Sequence, residues 1–254
     1  MPTFKGIDIS NWQAGLSMKK VKDDGYDFVI ARASATGYGD GVSKFKDSRF
    51  EEFYKGCKDN GLAIGAYHYS CANTYQKGVD EANFMYSNCL KGKQLDMPVF
   101  IDVENGQWQT SNKAGVTDAI IGFCDTLEKL GYFVGVYANY NYFKNYIDNA
   151  RINRYTRWLA VWQNNKPSVS FDYGLWQYTS KLPINGITVD GDYSYHDYPT
   201  IIKEGGFNGY KKEEPKPQPE PEPVIPALTL KAGDVITVKE VKDNIITMEK
   251  KEGN

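Results

Sequence analysis

Over the first two hundred positions, short runs of β-branched and aromatic residues alternate with longer stretches in which apolar residues recur at helical spacing. The runs predict strands at 5–10, 27–32, 63–69, 98–104, 133–139, 157–163, 174–178 and 186–190. Helices are predicted at 48–60, 75–90 and 116–130, each ending near a glycine (Gly61, Gly92, Gly131) of the kind that closes a helix C-terminus. After the fifth strand the spacing shortens, and the last three connections have little room for full helices. Strands alternating with helices predict an α/β fold with a mostly parallel sheet, closed as a modified TIM-like (β/α) barrel of eight strands with an incomplete helix ring.

The pattern ends at Tyr210. From Lys211 to Pro226 the chain reads KKEEPKPQPEPEPVIP, and proline alternating with charge predicts an extended spacer without helix or sheet. The expected organisation is therefore a barrel domain over 1–210, a linker over 211–226 and a small tail over 227–254. In the tail, β-branched residues flank Lys242, Asp243 and Asn244, which predicts a β-hairpin appendage. A hairpin this short, with neither cysteine nor aromatic residue, falls below the roughly 40 residues an independent domain needs. Self-assembly into a homo-oligomer is the favoured role, with docking on the barrel or a remnant of a longer binding module as alternatives.

Composition narrows the chemistry. The chain of 254 residues carries 30 Lys and Arg against 32 Asp and Glu, a net charge of -2 that offers no basic footprint for nucleic acid. No apolar run reaches the roughly 18 residues of a membrane span, and the opening MPTFKGIDIS lacks the features of a signal peptide, so a cytoplasmic product is expected, with no membrane partner. Cys57, Cys71, Cys89 and Cys124 form no CxxC pair, and His68 and His196 are the only histidines. A metal site or a His-dependent nucleophile is thus disfavoured, no cofactor is implied, and acid chemistry falls to carboxylates. Aromatic residues make up 14% of the chain, and such rings pack cores but also form platforms for sugar rings.

Catalytic groups of a barrel sit at the C-terminal ends of its strands. Asp8 ends the first predicted strand in KGIDIS, Asp102 and Glu104 the fourth in PVFIDVE, and Asp190 the eighth in GITVDGD. Alternation along a strand puts Phe100, Asp102 and Glu104 on one face and Val99, Ile101 and Val103 on the other. The apolar set suits the helix layer, so the acids face the barrel mouth, where the eighth strand closing on the first brings Asp190 toward Asp8. A lone D-x-E is more often a solvated strand edge, but acids on the closing strands turn the balance toward a site. Paired carboxylates in an aromatic cleft fit glycoside hydrolysis, one acid protonating the leaving oxygen.

KGIDISNWQ, GAYHY (65–69), PVFIDVE (98–104), VGVYAN (134–139), WLAVWQ (158–163), LWQYTS and NGITVDGD resemble, in order over nearly all of 1–200, glycoside hydrolase family 25. These are muramidases of phage endolysins and bacterial autolysins. The resemblance implies a peptidoglycan hydrolase, an endolysin-type lysozyme acting on the bacterial cell wall after release, that cuts between N-acetylmuramic acid and N-acetylglucosamine. It also implies Glu104 as general acid, Asp102 as the support for attack by the substrate's acetamido group, and Asp8 and Asp190 as further acids of the site. Trp12, Tyr67, Tyr69, Tyr137, Trp176 and Gln177 match positions of a sugar-contacting wall.

The second strand departs from the family: many relatives run into a K-A-T-E-G-like turn, whereas this chain reads RASATG, without an acid at Ala35 or Thr36. The loop after it is expected to differ in its substrate contacts. Asp192 is the alternative to Asp190, placed second because it would lie further into a loop. His68 is expected to point outward as a packed histidine. Two other readings stay open: a chitinase-like barrel, disfavoured because Phe100 occupies the place of an acid, and a catalytically silent glycan-binding module.

Overall fold

The structure, a computed structural model, describes residues 3–212, 232–242 and 245–251, with nothing given for the side chains of Val241, Lys242 and Ile245. The chain divides into two units, Met1–Glu213 and Glu214–Asn254.

The first unit is a closed barrel. Its strands are β1 (Phe4–Ile9), β2 (Phe28–Thr36), β4 (Ala63–Tyr69), β5 (Val99–Asp102), β6 (Val134–Asn139), β7 (Thr156–Ala160), β8 (Leu175–Ile184) and β9 (Ile187–Ser194), with a short β3 (Lys44–Lys46) on the edge of β2 beyond its pairing with β1. Neighbours from β1 through β8 pair in parallel, and β9 closes the ring by pairing antiparallel with both β8 and β1.

That reversal corrects the expected eighth strand. It runs to Ser194, past the predicted end at residue 190, and in the direction opposite to its neighbours. The cause is local: Asn185 and Gly186 take φ of 49° and 78° between the paired Ile184 and Ile187, which makes a two-residue hairpin rather than a crossover.

Helices α1 (Met18–Asp23), α2 (Phe50–Asn60), α3 (Tyr75–Met85), α4 (Lys113–Lys129), α5 (Tyr140–Asn145) and α6 (Tyr198–Gly205) complete the unit. The predicted second helix reaches residue 90 only through a π-helical turn, Tyr86–Leu90, after α3. No full helix separates β7 from β8 or β8 from β9, as the short spacing implied.

Two cores hold the barrel. Outward residues such as Ile7, Val29, Ile64, Ile101 and Val136 pack against the helices, while Phe28, Ile30, Phe100, Trp158, Leu175 and Tyr198 fill the interior. Small inward residues make room for the large ones. A Cβ at Gly135 would stand 2.7 Å from Thr156 Cγ2 and closer still to the Phe100 ring. Phe100, Trp158 and Tyr137 pack ring to ring, with centroids 5.1 Å and 4.6 Å from Trp158. Phe100 is one inward position below Asp102 on the same strand, so the plug underlies the acids, and the polar layer above it is both supported and partly dehydrated.

The second unit contains β10 (Val235–Lys242) paired antiparallel with β11 (Ile245–Lys251), a small separate two-stranded sheet. Asp243 and Asn244 of the expected turn lie outside the described residues, as does residue 213 onward to 231, which takes in most of the proline-rich stretch.

Candidate active site

Asp8, Asp102 and Glu104 stand where their strands open at the mouth of the barrel. Period-two alternation brings them inward together with Arg32, Tyr67, Tyr69, Tyr137 and Gln177. Asp190 reaches the same mouth for a different reason, because β9 starts there and descends. It sits directly across from Asp8 in the β1–β9 register, and Asp192 sits across from Gly6, one inward position deeper. Asp192 is therefore on the floor of the cleft and wholly buried, not in a loop as expected.

A cleft of about 200 Å³ is lined by Asp8, Asp102, Glu104, Asp190, Arg32, Trp12, Tyr38, Tyr67 and Tyr69. Below it a smaller space of about 70 Å³ adds Tyr137, Trp158 and Gln177. A larger hollow of about 430 Å³ lies next to the start of β6, lined by Tyr54, Tyr86 and Tyr132, and contains no acidic side chain.

Each group has a local support. Ser10 caps a 3-10 turn, Asn11–Gln13, and Gln13 Oε1 accepts the Ser10 N–H at 2.9 Å, which presents Trp12 at the rim, 81% exposed. After Glu104 the chain is pinned by buried Asn105, whose Oδ1 accepts the N–H groups of Gln107 and Trp108 and whose own N–H donates to Gln109 Oε1. Glu104 itself opens to the cleft. Asp102 is buried, and its Oδ1 faces no hydrogen-bond partner. Gln177 donates its Nε2–H to Asp8 Oδ2 at 2.8 Å and accepts from the Tyr137 hydroxyl and the Trp162 indole.

Crowded acids in a partly dehydrated cleft resist ionisation. Burial, then the charge of Glu104, raises Asp102 well above the usual carboxylate range, with Arg32 opposing. Loss of water around the carboxyl, then the charge of Asp190, raises Glu104. Burial raises Asp190 to about 6, and burial with the charges of Asp192 and Asp190 raises Asp8. Arg32 is engaged by Asp47 at 2.8 Å and by Asn11. Among the described residues no group of three or more His, Cys, Asp or Glu is placed to hold a metal ion.

These shifts set a pH dependence of stability. Above about pH 4, where unfolded carboxyls lose their protons, the folded chain keeps more protons than the unfolded one, so unfolding free energy falls as pH rises through 6, the value near which Asp190 titrates. Asp96 and Glu81, lowered by Lys58 and Tyr210 and by His68 against the cost of their burial, act with opposite sign and only on the acid side. The urea midpoint of the chain is expected to be higher near pH 5 than near pH 8; a midpoint that climbs over this range would contradict the raised acids.

The structure separates the predicted wall residues. Tyr67 and Tyr69 line the cleft, while Tyr137 and Gln177 line the smaller space beneath it, Gln177 as a buried brace. Trp176 does not belong with them: it sits on the outer face of β8, its Nε1–H bonded to Val161 O, packed against Tyr178 and Tyr193. Adjacent residues of one strand cannot both face inward, so Trp176 and Gln177 exclude each other. His68 lies outward as expected, buried between β4 and the helices and hydrogen-bonded to Ser34 and Thr36.

Three cleft residues escaped the sequence reading. Arg32 is a charge inside an apolar strand run, a signal that was present. Tyr38 comes from the loop after RASATG, its ring 5.0 Å from Tyr69 and its carbonyl bonded by Trp108 Nε1–H. Thr36, at the end of the same strand, turns outward and donates to buried Glu81 at 2.7 Å. Trp162, 64% exposed above Gln177, follows β7 by two residues, and only its inward parity pointed to it.

Comparison with known proteins accords with this geometry. The chain is similar to the autolytic lysozyme of Clostridium acetobutylicum, 31% identical over 189 residues, which cover 74% of this chain and 54% of that protein. It is similar to lysozyme M1 of Streptomyces globisporus, 24% identical over 203 residues, covering 74% and 66%. The chain thus spans just over half, and just under two thirds, of the length of these relatives. Among solved structures, the CTP1L endolysin superposes with a TM-score of 0.66 at 29% identity, covering 78% of this chain and 70% of that one. The catalytic domain of endolysin ply40, from bacteriophage P40 of Listeria monocytogenes, superposes with a TM-score of 0.62 at 29% identity, covering 79% and 97%. With the profile of glycosyl hydrolases family 25 matching residues 7–187, through β1 to the start of β9, the chain belongs to that family.

Proposed function

We propose that the chain is a muramidase of endolysin type, hydrolysing the β-1,4 bond between N-acetylmuramic acid and N-acetylglucosamine in bacterial peptidoglycan. The observation that carries this is the pairing of Glu104 with Asp102: one acid raised yet open to the cleft, the other raised, buried and holding an unpartnered oxygen. Glu104 keeps a proton to give the leaving oxygen. Asp102 Oδ1 accepts the N–H of the substrate's acetamido group, turning that group's oxygen toward the anomeric carbon to displace the leaving sugar. Trp12, Tyr38 and Trp162 offer exposed rings at the rim on which sugar rings stack. Phe100, where a chitinase-like enzyme would carry an acid, is wholly buried in the barrel interior. We place the enzyme with phage or prophage lysis, made in the cytoplasm and acting on the wall after release, because endolysins are among its structural relatives.

The test is loss of turbidity of a Gram-positive cell-wall suspension, with the new reducing ends identified. Muramic acid at the new ends supports the reading, glucosamine points to a different glycosidase, and binding without cleavage points to a silent module.

We also infer that the C-terminal hairpin joins copies of the chain. Val235, Val238, Ile246 and Met248 are 59%, 55%, 50% and 43% exposed, and Val238 pairs across the strands with Met248, a large apolar share for so small a sheet. Assembly would give several barrels simultaneous hold on a polymeric wall. Light scattering on the full chain and on a chain ending at Tyr210 is expected to show an oligomer only for the first; two monomers would overturn the inference.

A further inference from the structure

Asp192 takes no part in the mechanism above, yet its surroundings are specific. It is wholly buried, and the register sets it diagonally below Asp8 on the same inward face, close enough for their side chains to meet. Its Oδ1 accepts the Trp158 indole N–H at 2.7 Å, and its Oδ2 has no donor. Asp8 is 6% exposed, and its Oδ2 accepts from Gln177. That amide cannot turn round, because its oxygen is already held by Tyr137 and Trp162. The register thus sets two buried carboxyl groups beside each other with one Asp192 oxygen lacking a donor, and two carboxyl groups bond to each other only when one carries a proton.

Which acid carries it follows from the neighbours. Burial raises Asp192 to about 8, and the Trp158 indole, donating to it, opposes that rise. Asp8 receives only the amide of Gln177, and faces Asp190 directly and Asp102 and Glu104 across the cleft, with Tyr67 and Tyr137 beside them. Arg32, the cation lining this cleft, is committed to Asp47. We propose that Asp192 is a positioning residue that accepts a proton-bearing hydrogen bond from Asp8 and so keeps Asp8 neutral at the floor of the cleft. The raised titration of Asp8 runs in the same direction. The consequence is electrostatic: the cleft presents Glu104 and Asp190 with one negative charge fewer than its count of acids suggests, so Glu104 retains its proton without being pushed so far that it cannot release it.

The test is infrared difference spectroscopy of the full chain in heavy water near neutral pH, read alongside pH–rate profiles. In a Glu104→Gln background, which removes the band of the proton held on Glu104, a protonated-carboxyl C=O band is expected, lost on adding either Asp192→Asn or Asp8→Asn and retained on adding Asp102→Asn. In Asp192→Asn the new amide N–H stabilises ionised Asp8, and moving the pair's one negative charge from the deeper position up to Asp8, which lines the cleft with Glu104, should shift the alkaline limb of kcat/KM to higher pH. In Asp8→Asn, a neutral group replaces a neutral group, and the limb should stay. A band that persists in Asp192→Asn, or an unmoved limb there, overturns the proposal. Should that variant not fold, a band that survives in Asp8→Asn, or a limb that moves down with it, does the same. The kinetic arm rests on the muramidase reading, whereas the infrared arm needs no activity, so an inactive chain that shows the band refutes the former alone.

Discussion

Glu104→Gln is expected to lower kcat on cell wall by on the order of 10²- to 10⁴-fold, the contribution of a positioned proton donor, with folding intact. The amide keeps the size and shape of the acid but has no proton to give. Its position survives the change because the following turn is held by Asn105 and Gln109 rather than by Glu104. The substitution also removes one of the charges that raises Asp102, so Asp102 should titrate lower in the variant, and the thermal midpoint should hold or rise as like-charge repulsion is relieved. Full lytic activity in a well-folded Glu104→Gln chain would remove Glu104 from the mechanism.

Asp102→Asn is expected to cost on the order of 10²- to 10³-fold, by loss of a buried acceptor and its negative charge next to the reacting centre. The asparagine cannot offer two acceptor oxygens to the acetamido group, and its NH₂ has no acceptor waiting where Asp102 Oδ1 now lacks a partner. The same interaction can be removed from the other side. Cell wall chemically stripped of its N-acetyl groups should resist the wild-type enzyme, and Asp102→Asn should lose little further on that material, since both changes delete one coupling. Equal wild-type rates on the two walls would defeat acetamido participation, and additive losses would separate Asp102 from it.

The acids at residues 8, 102 and 104 were legible because their signal is local. A strand end marks the mouth of a barrel, period two assigns the face, and Phe100, Asp102 and Glu104 obey both rules. Asp190 was found through a wrong route, as the end of a parallel strand. The turn that reverses β9 was visible as Asn185–Gly186, but treating the connection as a shortened crossover hid it. Trp176 shows the opposite failure, where likeness to a motif outweighed the alternation that assigns its neighbour Gln177 to the interior.

What the sequence determined by itself was the set of elements, their alternation, the inward and outward faces of each strand and the break after Tyr210, all of which depend on spacing along the chain. What the tertiary structure decided was depth and company. Whether Asp192 lies in a loop or under Asp8, whether Thr36 faces substrate or Glu81, and which rings rim the cleft depend on how separate strands are staggered around a closed ring. The company of Asp8 follows from that stagger, because Gln177, Asp190 and Asp192 lie 169 or more positions away in the chain and meet it only where β9 closes against β8 and β1, whereas the charge that raises Asp102 is its near neighbour Glu104.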